Sequence, residues 1–180
     1  MHDLRVDTIL PWTYFAVLAA IGIWLIAKNG QWWNEVVSSN FLPNPTLYYI
    51  IWVVFLVIFP FAYQLTLEAC KTQGHRISLH LLMTVVFVFL LLWVIFLYKR
   101  RDIRVALIFM GIAWFFVLAT TVMALLLRSP AAGLWALFLI WLTMVWFLTS
   151  SARAEGLNSM YETLRERFQL RQELGSPSLS

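Results

Sequence analysis

Apolar residues dominate five long stretches of this chain, roughly Ile9–Ala27, Thr46–Leu67, Leu79–Tyr98, Val105–Leu127 and Leu134–Ser151, with short polar segments between them. None carries Asp, Glu, Lys or Arg in its interior. Each has about the 20 residues that a helix needs to cross a hydrocarbon core about 30 Å thick. Lipid offers backbone N–H and C=O groups no partner, so each stretch is predicted as a helix that satisfies its own hydrogen bonds. The fold class that follows is all-α: a polytopic membrane protein whose five transmembrane helices form one bundle over residues 1–152. After Arg153 the pattern changes. Leu157, Met160, Tyr161, Leu164 and Phe168 recur at helical spacing, opposite Glu162, Arg165, Glu166 and Gln169. This predicts a cytoplasmic amphipathic tail helix over 153–174, lying along the membrane surface or against a partner, then a disordered end at 175–180.

Local signals sharpen the boundaries. Asn44-Pro45 and Ser129-Pro130 each pair a capping side chain with a proline suited to the first helical position, and open the second and fifth helices. Ser78 is the expected cap of the third. Pro60 falls inside the second helix, removes one backbone hydrogen bond and predicts a kink. The connections after helices three and four are a few residues long, so helices three to five are expected to pack as antiparallel neighbours. The segment from Lys28 to Asn44 reads as the longest loop and holds Trp32, Trp33 and Phe41. These tryptophans suit either interface anchoring or a lid over the mouth of the bundle.

Composition and charge then limit what the protein does. Hydrophobic residues make up 62% of the chain and charged residues 12%, against roughly 25% charged in a soluble domain. The first stretch reads as a retained span, because its leader is acidic and no small-residue cleavage site follows. Five spans place Arg5, Lys71, Arg76 and Arg128 on one side. The other side holds Lys28, Lys99, Arg100, Arg101, Arg104, Arg153, Arg165, Arg167 and Arg171. The excess predicts that the first loop and the C-terminus are cytoplasmic. The net charge of +4 is thus a topology signal, and no nucleic-acid partner is expected; the lipid bilayer is the first partner.

Enzymatic chemistry finds little support. The carboxylates, among them Asp3, Asp7, Glu35, Glu68 and Asp102, lie at or beyond span ends, so no shielded acid–base pair forms. Cys70 is the only cysteine, which excludes an intramolecular disulfide and a thiolate metal cluster. His80 reads as either an axial haem ligand or an interfacial hydrogen-bonding residue. No metal site, catalytic residue or obligatory cofactor is predicted. Intramembrane charges, which mark ion and proton paths, are missing. What the bundle offers is aromatic surface from Trp24, Trp52, Trp93, Trp114, Trp135, Trp141 and Trp146, suited to a flat apolar ligand or simply to core and lipid contact.

Three segments bring a known family into view. Trp32-Trp33-Asn-Glu-Val-Val-Ser-Ser-Asn-Phe41-Leu-Pro43-Asn44-Pro45 leads without a gap to Ile51-Trp52. Leu90-Leu-Leu-Trp93 leads to Tyr98, Lys99–Arg104 and Ala106-Leu107. Ala119-Thr120-Thr121-Val122, Ala131-Ala132 and Leu139-Ile-Trp141-Leu142 complete the pattern. In this spacing the chain, up to about Ala152, resembles the tryptophan-rich sensory protein family, also called translocator protein or peripheral benzodiazepine receptor, whose members have five membrane helices. It departs from the family at Ser38-Ser39 for Lys-Pro, Asn44 for the second proline, Leu90 for asparagine, and Leu137-Phe138 and Thr149 for the Pro-Tyr and asparagine of helix five. The aromatic framework stays, while the family's polar ligand contacts are largely replaced.

The resemblance implies a ligand site between the helices, open toward the first loop. Position by position, Gly22 and Leu25 would line it on helix one, and Tyr48, Tyr49 and Trp52 on helix two. Trp93 follows on helix three, Val105, Ile108 and Ile112 on helix four, and Trp141, Val145 and Leu148 on helix five, with Trp32 and Trp33 above. It implies binding, and with it transport or sensing, of a porphyrin, haem or sterol, in a bacterial plasma membrane or the mitochondrial outer membrane. The alternative is a structural or accessory subunit of a larger membrane complex that keeps the fold without the ligand; a membrane enzyme acting on porphyrin ranks behind both. Small-residue pairs at Ala16/Ala20 and Thr120/Ala124, against none in helix three, predict that a homodimer does not use a tight helix-three contact. Leu157–Arg165 also fits a loose sterol-recognition pattern, which an ordinary amphipathic helix explains equally well.

Overall fold

A computed structural model of the chain describes the backbone of residues 3–37 and 45–175, and the side chains of residues 9–29, 50–151 and 153–154. Five α-helices follow one another: α1 (Asp3–Val37), α2 (Pro45–Ala69), α3 (Gln73–Val94), α4 (Ile103–Leu126) and α5 (Ala132–Gly175). A π-helical turn, Ile95–Arg100, extends α3. Each helix holds a segment long and apolar enough to cross a membrane, and these five segments correspond one for one to the predicted stretches. The protein is a five-helix membrane bundle. Around it, α1 packs on α2, α2 on α5, α5 on α4, α4 on α3, and α3 with its π turn closes the ring against α1. The most extensive contacts join α3 to α4 and α4 to α5, as the short connections between them require.

Three helix ends lie elsewhere than expected. Lys28 to Val37 belongs to α1 and not to a loop, so Trp32 and Trp33 stand on helical backbone. Loss of hydrophobicity there marks the exit from the membrane, but no proline interrupts the run, and a helix continues in water as well as in lipid. Helix α3 starts at Gln73, six residues before the expected apolar onset, and Thr72 caps it in place of Ser78: its Oγ1 accepts the His75 N–H at 3.3 Å. Helix α5 runs without interruption from Ala132 to Gly175, so the amphipathic stripe beyond Arg153 continues the fifth helix. The composition changes there; the helix does not. Pro45 opens α2 as expected, whereas Asn44 and the chain end at 176–180 lie outside the described residues. Helix α2 runs on through a buried Pro60.

Capping holds the connections of the other helices. Asp102 Oδ1 accepts the N–H groups of Arg104 and Val105, each at 3.1 Å, and so starts α4. Just before it, Arg101 turns the chain at φ 57°, and Arg128 does the same after α4 at φ 54°. Ser129 Oγ accepts the Ala131 N–H and donates to the Leu65 carbonyl of α2, each at 3.2 Å, which pins the start of α5 to its neighbour.

The core is densest between α3 and α4. Leu79, Met83, Val86, Leu90 and Trp93 face inward from α3, and Ala106, Met110, Ala113, Val117, Thr120 and Ala124 from α4; none exceeds 1% exposure. Both series alternate steps of three and four, the seam that lets side chains of two helices interdigitate. Lipid is as apolar as these side chains, so close contact and interhelical hydrogen bonds hold such helices together. Trp135 Nε1 donates to Thr66 Oγ1 at 2.9 Å between α5 and α2, and Trp114 Nε1 to Thr143 Oγ1 at 2.8 Å between α4 and α5. Thr120 and Ala124 are therefore used inside the bundle, while Ala16 and Ala20 are exposed on α1.

Candidate functional site

Where α1 and α2 approach the end of α3, the side chains stop filling the space. A cavity of about 220 Å³ lies between Leu18, Ala19, Gly22, Ile23, Ile26 and Ala27 of α1, Trp52, Val53 and Leu56 of α2, and Trp93, Val94 and Tyr98 of α3 and its π turn. The α1 residues recur at steps of three and four, so they form one face of that helix. A Cβ built on Gly22 would meet nothing within 4 Å, so the missing side chain leaves open space at the wall. Opposite, the rings of Trp52 and Trp93 stack, with centroids 5.5 Å apart and planes 6° from parallel. Ile23 and Val53, both more than half exposed, open the cavity sideways toward the lipid-facing surface.

The π turn brings in a residue that periodicity misses. Trp93 and Tyr98 are five positions apart, about 140° around a regular α-helix. The wider i→i+5 turn reduces that angle, and both side chains reach the same cavity. Among the described residues the wall is apolar and carries no charged side chain. It nevertheless holds one buried donor without a partner, since Trp93 is fully buried and its Nε1 makes no hydrogen bond.

Of the residues singled out in the sequence, Gly22, Trp52 and Trp93 meet at this cavity. Leu25 is buried on α1 beside it. Trp141, Val145 and Leu148 are buried on the inner face of α5, where Trp141 stacks on Phe55 at 5.3 Å. Val105 is half-buried on α4. Ile108 and Ile112 are apart from the cavity, on an outer groove between α4 and α5. Trp32, Trp33, Tyr48 and Tyr49 lie on the last turns of α1 and the first turn of α2, and their side chains fall outside the described residues. Leu18, Ala19, Ile26, Leu56, Val94 and Tyr98 line the cavity but were not singled out; the i, i+4 series Leu18–Gly22–Ile26 was the available signal.

The candidate haem ligand His80 and the single cysteine both have ordinary partners. His80 Nδ1 and the Tyr63 hydroxyl are 2.5 Å apart, joining α3 to α2. Buried Cys70 directs its Sγ to the Thr66 carbonyl at 3.3 Å. Among the described residues, His, Cys, Asp and Glu form no group able to hold a metal ion.

Neither the curated proteins nor the solved structures compared with the chain give a match. A family model does match, over residues 12–154, which takes in all five spans apart from the first residues of α1. With that match and five membrane helices in one bundle, the chain belongs to the TspO/MBR family.

Proposed function

We propose that the protein binds a flat, neutral, apolar ligand in the cavity between α1, α2 and α3, with a sterol favoured over a tetrapyrrole. The observation that carries this reading is the aromatic wall formed by Trp52 and Trp93, free of charged groups among the described residues and open to the lipid side. A ligand dissolved in the bilayer can enter sideways without crossing water. The volume of about 220 Å³ is below the roughly 300–1,000 Å³ of pockets that enclose a drug-sized ligand. It suits a molecule that inserts its edge and leaves the rest in lipid. Haem and biological porphyrins bring carboxylates, and the described residues of this wall offer them no cation; His80, the candidate axial ligand, is bonded to Tyr63 away from it. A sterol brings one hydroxyl and no charge, which an apolar wall accepts at the lowest desolvation cost.

Energy transfer from tryptophan to a fluorescent sterol, dehydroergosterol, in nanodiscs tests the proposal. Saturable transfer is expected, weakened about tenfold or more in apparent affinity by Gly22→Leu, which fills the space. Protoporphyrin IX is the comparison, expected to quench weakly and without saturation. Saturable porphyrin quenching together with absent sterol transfer would reverse the preference, and no saturable response to either would refute the ligand site.

A further inference from the structure

The outer surface between α4 and α5 holds a second feature, separate from the cavity. A groove of about 800 Å³ runs along the two helices, with Arg104 and Arg153 at one end and Ile108, Gly111, Phe115 and Trp146 along its length. We infer that this groove binds an anionic phospholipid, its phosphate between Arg104 and Arg153 and one acyl chain lying over Gly111.

Charge supports the occupant. Arg153 is half-buried and its Nε has no hydrogen-bond partner, so its guanidinium is partly desolvated, a state that a nearby negative charge offsets. Among the described residues no carboxylate pairs with either guanidinium. Asp102, two residues before Arg104, directs its Oδ1 to the N–H groups of Arg104 and Val105 as a helix cap. A phosphate presents oxygens that planar guanidinium groups bind in a forked geometry.

Shape supports a lipid over a free anion. Arg104 and Phe115 are eleven residues apart on α4, about 16 Å along a helix, close to half the roughly 30 Å hydrocarbon thickness. The groove therefore runs from headgroup level to about mid-membrane, the reach of one acyl chain. Ile108 and Phe115 are more than half exposed on its flank. At Gly111 an added Cβ would meet the Trp146 ring at 3.5 Å, so a larger residue there would press on the ring that lines the groove.

Native mass spectrometry of the full chain, equilibrated with phosphatidylglycerol and phosphatidylcholine of matched chains, tests the inference. One phosphatidylglycerol per protomer is expected, retained about tenfold better than phosphatidylcholine, the size of one charge-assisted hydrogen bond. Arg153→Gln and, independently, exposed Arg104→Gln should each lower that preference several-fold. Gly111→Leu should lower retention with both arginines in place. Lys99→Gln, outside the groove, should change it less than twofold. Equal retention of the two lipids would overturn the inference, as would an equal effect of Lys99→Gln and Arg153→Gln, which would mean surface potential alone. Displacement of the lipid by millimolar inorganic phosphate would also overturn it, in favour of a soluble-anion site. Unchanged thermal unfolding of the Arg104→Gln protein keeps the result independent of folding.

Discussion

Helix α4 and helix α1 cross the same membrane on opposite sides of the bundle, and their buried faces differ in kind. On α4, small and medium residues, Ala106, Ala113, Thr120 and Ala124 between Met110 and Val117, recur at seam spacing and are completely buried. Small residues let neighbouring backbones approach closely, and α4 is in extensive contact with both α3 and α5. On α1 only 17% of the spanning segment is buried, against 33% on α4. Its inward residues are Leu18 and Leu25, with Gly22 between them over open space. A glycine or alanine stripe therefore has no fixed meaning. Facing a matching seam it closes a contact; facing a stacked aromatic wall it leaves a cavity open.

The largest effect should come from the closed side. Trp135 is fully buried on α5 and bonded to Thr66. Trp135→Ala is expected to cost about 3–5 kcal/mol, the range for deleting a buried aromatic. Ile140, 66% exposed on the same helix, should lose less than about 0.5 kcal/mol when changed to Ala, as a surface substitution does. Reversible unfolding in mixed micelles measures both. Next in size is Ala113→Leu, which forces bulk into the α4 seam and should cost about 1–3 kcal/mol. A smaller value would mean that the seam is looser than its burial suggests.

Why some of this was legible in sequence and some was not follows from what hydropathy measures. It reports where lipid is, so all five spans were readable. It does not report where a helix ends, because water also tolerates helices; hence α1 outlasts its span to Val37 and α5 runs to Gly175. The start of α3 at Thr72 needed attention to a capping side chain outside the apolar run. At the cavity, Gly22, Trp52 and Trp93 could be carried over from family spacing. Tyr98 could not, because the π turn shifts its direction. Ile108 and Ile112 depend on the rotation of α4 about its axis, which spacing along the chain leaves open, and that rotation turns them to the outer groove.

Polar links come next in size. Asp102→Ala removes the cap of α4 and is expected to cost about 1 kcal/mol, with Asp102→Asn retaining most of it. Thr66→Val deletes the acceptor of the Trp135 indole and should cost about 1 kcal/mol, the low end for a buried donor left without a partner. A thermal shift series resolves the two, since only the first should loosen the Arg101–Arg104 connection to proteolysis.

The smallest effect on stability, and the sharpest test of the contrast, is at Gly22. An added methyl group meets nothing within 4 Å, so Gly22→Ala escapes the steric cost predicted for Ala113→Leu. Replacing glycine inside a helix also removes backbone freedom from the unfolded chain, worth about 0.5–1 kcal/mol. The sign should therefore be opposite to that on α4: a slight stabilisation. Gly22→Leu should likewise fold, because the added volume enters a cavity of about 220 Å³, while it displaces whatever that cavity holds. Unfolding midpoints and sterol energy transfer, measured on one sample, separate the alternatives. If the open side exists to receive a guest, stability holds or rises as transfer falls. If stability and transfer fall together, Gly22 serves a close helix contact as Ala113 does, and the difference between the two sides of the bundle collapses.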